Sequence, residues 1–190
     1  LDIYNQKKDF QSLKKYSKSW ISNEKDNDRK KALHKIEQEA GFAEIQVLAD
    51  SGKNEEEQKQ NKLKSAEQWK NYFYEHSAET DNNDKTKNST AVTAVPLAKE
   101  ALWLSLSQFY ALNYSLQAAD LSVVYQQKYP DDPRGIEALK TAADIYSQAG
   151  LLKKSAQLFE SLSSLDKKKS LEYSDIASEL YATDGDKNSA

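Results

Sequence analysis

Residues 145–162 read IYSQAGLLKKSAQLFESL. Gly150 stands inside strong helical periodicity, and the same pattern resumes one residue later with no proline, cysteine or histidine nearby. Glycine takes a left-handed backbone conformation at little cost, so a helix can stop there and the chain reverse. On this reading 145–162 spans the turn of a helical hairpin, with one helix ending at Gly150 and the next covering 151–165.

Working outward, "PDDP" at 130–133 precedes the first of these helices, with Asp132 suited to cap it and Pro133 to its first position. Upstream, helices are expected near 96–113, opened by Pro96, and near 115–129, closed before Pro130. Downstream, one is expected at 169–182, followed by a polar tail at 185–190. In the first half, Phe10, Leu13, Tyr16 and Trp20 mark a helix over 3–22. Leu33, Ile36, Ala40, Ala43 and Val47 recur at steps of three and four and mark a second over 29–50. Leu63, Ala66, Trp69, Phe73 and His76 mark a third over 58–79. The polar run TDNNDKTKNST at 80–90 reads as a loop. The expected organisation is therefore an N-terminal helical region at 1–79, a linker at 80–92, helix pairs over 93–184 and a tail at 185–190.

Composition agrees with an all-α chain. Five Gly and three Pro in 190 residues are too few for a sandwich of many short strands. Three Trp, eleven Tyr and five Phe argue against a disordered chain. A net charge of −3 gives no reason to expect nucleic-acid binding, which normally shows a basic face, and no apolar run approaches the roughly 18 residues of a membrane span. With no cysteine, disulfides, thiolate metal sites and cysteine nucleophiles are excluded. The chain begins with Leu1 and is read as a piece of a longer protein.

The hairpins repeat. Leu139, Ala142, Ala143, Tyr146, Gly150, Leu152, Ser155 and Phe159 take relative positions 4, 7, 8, 11, 15, 17, 20 and 24. An offset of 36 puts Trp103, Leu106, Ser107, Tyr110, Leu116, Ala119 and Val123 at the corresponding positions. Tyr173, Ile176, Ala177 and Leu180 begin a third unit. This pattern resembles the tetratricopeptide repeat (TPR), a helix–turn–helix unit of about 34 residues. Tyr114 stands where the first unit should have its turn glycine, and Asn113 can supply the left-handed residue instead. The stretch QQKYPDDPRGIEALKTAADIYSQAGLLKKSAQLFESL (126–162) is similar in style to bacterial cell-envelope TPR proteins. The expected architecture is antiparallel helix pairs stacked into a TPR-like right-handed superhelix.

The resemblance implies a concave groove, lined by the first helix of each pair, that binds a protein partner as a peptide or helix. Its lining would be Ala101, Leu104, Gln108 and Ala111, then Glu137, Lys140, Asp144 and Ser147, then Leu171, Ser174, Ser178 and Tyr181. A clamp for a C-terminal carboxylate, as in some TPR domains, needs Lys and Asn where Lys140 is followed by Asp144, and Asp repels a carboxylate. His34, with Glu37 and Gln38 nearby, offers too few ligands for a metal, and His76 lies on an apolar stripe. No nucleophile elbow or phosphate loop occurs. Asn88 in NST matches a glycosylation triplet. Glu55–Glu57 and Lys167–Lys169 read as solvated helix ends.

The function expected is that of a non-enzymatic scaffold or adaptor without cofactor in a bacterial envelope assembly, periplasmic or elsewhere in the envelope, with the cytoplasm as alternative. It would contact no nucleic acid and insert no segment into a membrane. The rival readings are an accessory helical domain of a larger envelope enzyme and a self-assembling structural protein whose repeat ends stack.

Overall fold

The computed structural model describes residues 2–77 and 91–189, with side chains described for 3–77 and 96–185. Among the described residues there are nine α-helices and no strand: α1 (Asp2–Gln6), α2 (Phe10–Ile21), α3 (Asn27–Ala49), α4 (Glu55–Ser77), α5 (Ala91–Ala111), α6 (Ser115–Lys128), α7 (Pro133–Gln148), α8 (Leu152–Leu165) and α9 (Ser170–Ser189). The linker expected at 80–92 lies outside the described residues, Asn88 included, except that Ala91 and Val92 open α5.

Three helix ends differ from expectation. The helix expected over 3–22 breaks in two, because Lys8 is left-handed at φ 55° and Asp9 caps α2 by accepting from the Ser12 N–H at 3.1 Å. Pro96 lies inside α5 rather than in its first turn, where it has no N–H to give the preceding turn. Residues 185–189, expected in a tail, continue α9. The acidic residues Glu55–Glu57 do sit in the first turn of α4, where the helix dipole favours negative charge.

The chain divides into two compact units, 1–105 and 106–190, and the division falls inside α5 rather than in the polar run 80–92. The reason is packing. Ala101 shares a core with Ile45, Ala49, Trp69 and Tyr72, and the Ser105 hydroxyl donates to the Ala66 carbonyl of α4 at 2.8 Å. That close approach is open only to small side chains, and Ala66 and Ala101 are fully buried. Along α3 the buried stripe runs through Leu33, Ala40, Ile45 and Ala49, while Val47, expected on it, is 52% exposed. The later turns of α3 pack on Trp69 and Tyr72, and Ile45 and Ala49 face them.

In the second unit α6 packs on α7, α7 on α8 and α8 on α9. Two turns have the same backbone. The N–H groups of Leu112, Asn113 and Tyr114 donate to Gln108, Tyr110 and Phe109; those of Ala149, Gly150 and Leu151 donate to Ile145, Ser147 and Tyr146. Asn113 (φ 64°) and Gly150 (φ 74°) supply the left-handed residue of each. The six-to-one bonds, both 2.8 Å, define a Schellman end. Tyr114 and Leu151 follow the left-handed residues, and Tyr114 lies edge-on to Phe109 with centroids 6.1 Å apart.

These turns are 37 residues apart, and burial follows them. Buried Ala138, Leu139, Ala142, Ala143 and Tyr146 correspond to buried Ala101, Leu102, Ser105, Leu106 and Phe109. Buried Ser155, Ala156, Phe159 and Leu162 of α8 correspond to Ala118, Ala119, Ser122 and Tyr125 of α6. The offset of 36 expected for the first unit is therefore corrected to 37. Of the residues it put in the core, Tyr110 and Leu116 are 55% and 44% exposed and Trp103 is half-buried. The turn at Asn113 comes one residue earlier than a turn at Tyr114 would, which rotates the whole pattern by one position. In α9 Tyr173 and Ala177 are buried as expected, with Ile176 and Leu180 packed beside them.

Between α6 and α7, Asp132 caps α7 by accepting from the Arg134 N–H at 2.9 Å. Its buried carboxylate also takes the Tyr125 hydroxyl at 2.8 Å and the Arg134 guanidinium at 3.2 Å. Pro133 occupies the first turn as its fixed φ favours. A Cβ at Gly135 would stand 1.8 Å from the Gln126 Oε1, so any larger residue there requires the Gln126 side chain to move.

Candidate functional site

The residues expected to line a groove fall into three groups. On α7, Asp144 is exposed beside exposed Glu137 and Gln148, while Lys140 and Ser147 are half-buried at the edge of the same arc. The opposite arc of α7 is the buried one, through Ala138, Leu139, Ala142, Ala143 and Tyr146. Helical spacing of seven places Glu137 and Asp144 two turns apart on one line.

On α5, Leu104 is not free to line a groove: it packs against the Ile45–Trp69 core of the first unit. Gln108 is half-buried and Ala111 exposed. By the spacing of 37, the second-unit residues that correspond to Asp144 and Ser147 are Ser107 and Tyr110, not Gln108 and Ala111. Tyr110, assigned to the core from sequence, is the more exposed of the two. The signal that would have found them is Asn113, which sets the register.

On α9 the four expected residues, Leu171, Ser174, Ser178 and Tyr181, separate. Ser174 and Tyr181 turn toward α8: the Ser174 hydroxyl lies 2.9 Å from that of Ser163, and the Tyr181 hydroxyl donates to Glu160 Oε2 at 2.9 Å. Burial first, then the Glu160 hydrogen bond and charge, hold the Tyr181 phenol above its usual range. Ser178 faces outward, its hydroxyl donating to the Ser174 carbonyl at 2.9 Å. The outward arc of α9 is completed by Leu171, Asp175 and Glu179. Within this unit, the exposed surface of the first helices thus presents Asp144 and Glu137 on α7 and Ser178 and Asp175 on α9.

The second helices make a different surface. Asp120 on α6 accepts from the Tyr146 hydroxyl of α7, and Lys154 of α8 lies 3.8 Å from the same carboxylate and 5.0 Å from the Tyr146 ring centroid. Burial, then the hydrogen bond and the charge of Asp120, push the Tyr146 phenol well above its usual value. This arrangement ties three consecutive helices together and uses the polar groups of all three.

Among the described residues, no three His, Cys, Asp or Glu side chains converge to hold a metal. His34 is half-buried on α3, and the His76 ring lies against Tyr72 with centroids 4.3 Å apart. Among the described residues no helix is long and apolar enough to cross a membrane. No protein-family model matches the chain, and neither the curated proteins nor the solved structures include a match.

Proposed function

We propose that this chain is a protein-interaction scaffold built from TPR-like helix pairs, stacked with a right-handed sense, that takes a partner peptide or helix on the outward faces of its first helices. The observation behind this reading is the 37-residue repetition of backbone bonds, left-handed turn residues and buried positions. A unit that repeats in this way cannot bury its apolar face alone and stacks on its neighbours. Val123 and Leu158 accordingly pack into two clusters each, one centred on Tyr146 and one on Phe159 and Tyr173. Such stacking leaves one face of each first helix for a partner, and on α7 that face carries Asp144.

The setting proposed is a bacterial envelope assembly, supported by the style of the segment at 126–162 and the cysteine-free composition. The reading assigns no cofactor and no catalytic residue.

The test is a photo-crosslinking amino acid placed in the host at Asp144, at Ser178 and, as control, at exposed Lys153 on α8. One discrete adduct, of the same mass from positions 144 and 178 and missing from 153, is the expected result. Folded protein that gives no adduct at 144 or 178, or the same labelling at 153, would sink the proposal.

A further inference from the structure

Two helices bury a narrow stripe and leave most of their surface bare. In α2 only Leu13 and Ser17 are buried, and in α9 only Tyr173 and Ala177 among the residues with described side chains. Their charges are opposite. α2 carries Lys14, Lys15 and Lys18 and no acidic residue. Over 170–185, α9 carries Glu172, Asp175, Glu179 and Asp184 and no basic residue.

Lys14 is engaged by Glu44 of α3 at 3.6 Å, which leaves Lys15 and Lys18, one turn apart on the side of α2 away from Leu13 and Ser17. On α9, Asp175 and Glu179 are likewise one turn apart on the exposed side, beside Leu171, which is 82% exposed. Among the described residues none of these four charged side chains has an ion-pair partner. A bare helix face with unpaired charge of one sign is matched, on the same chain, by a bare face of the other sign and similar spacing.

We propose that copies of this chain associate head to tail, the Lys15–Lys18 face of α2 in one copy seated on the Asp175–Glu179 face of α9 in the next. The contact joins two different patches, one basic and one acidic, and each copy carries both of them. Charge sets the pairing, because like faces repel, and Leu171 gives the acidic side an apolar contact to bury. The inference does not depend on the scaffold reading, since it concerns the purified chain alone.

The experiment is sedimentation velocity over a concentration series, at low salt and again near 1 M, where the screening length falls to about 3 Å. Association that grows with concentration at low salt and disappears at high salt is expected. Lys15→Glu/Lys18→Glu and Asp175→Lys/Glu179→Lys, each alone, should weaken it by about tenfold or more. An equimolar mixture of the two variants should associate again, because each reversed helix then meets its complement. Circular dichroism of each variant checks that both still fold. A single species at every concentration in low salt overturns the proposal. So does association unmoved by either reversal, or a mixture no more associated than the variants alone.

Discussion

The turn at Asn113 and the turn at Gly150 share their backbone bonds, yet the helices they join fill their cores differently. Where α8 has Phe159, α6 has Ser122; where α8 has Leu162, α6 has Tyr125; and before the turns Tyr146 answers to Phe109. The bulk sits at Tyr125 in one pair and at Phe159 in the other, each closed off from solvent. The backbone of a helix pair is thus fixed by its turn and by small residues at the crossings, such as Ala118, Ser155 and Ala143, whose carbonyl accepts from Ser155 at 2.8 Å. Large side chains move between positions as long as the total volume is kept.

The two pairs differ most where Phe159 stands against Ser122. Phe159→Ala should cost about 3–5 kcal/mol, the range for truncating a buried aromatic. Ser122→Ala at the corresponding place should cost under about 1.5 kcal/mol, since it loses only a hydroxyl bonded within its own helix. Urea unfolding of both variants decides it, and equal losses would mean that the two pairs do not exchange volume in this way.

The turns themselves should differ by less. Gly150→Ala puts a Cβ on a left-handed residue and should cost roughly 1–2 kcal/mol, although no atom stands within 4 Å to clash with it. Asn113→Gly removes a Cβ from the same conformation and should change stability by no more than about 0.5 kcal/mol. Thermal melts that rank these two in the opposite order would break the equivalence of the turns.

The smallest effect is a difference in pH response. The raised phenol of Tyr146 stabilises the fold fully below the ordinary tyrosine value near 10, and that contribution is lost as pH rises through the folded value. Phe109 cannot titrate. Tyr146→Phe should therefore be less stable than the parent at neutral pH, with the gap narrowing above about pH 10. Melts in an alkaline series that leave the gap constant would show that the bond to Asp120 carries no linked proton.

Features that depend on a few adjacent residues were legible in the sequence. Asp132 and Pro133 open α7, Gly150 closes its hairpin, Glu55–Glu57 begin α4, and the stripe Ala66, Trp69 and Phe73 is buried as periodicity demands. The groove positions were only partly legible. Asp144 is exposed as expected, but Leu104 is claimed by the core of its own unit, 1–105, and Ser174 and Tyr181 by hydroxyl and carboxylate groups on α8.

By itself, then, the sequence determined that the chain is helical, where several of its caps fall and that its hairpins repeat, because these follow from backbone preferences acting over a turn or two. Tertiary structure alone decided the register of 37, the burial of Ile45 in place of Val47 and the allotment of the first part of α5 to the core of α3 and α4. Each of these turns on which neighbouring helix reaches a given side chain. A shift of one residue rotates a helix by about 100° at almost no local cost, so only the partner across the interface can choose between the alternatives.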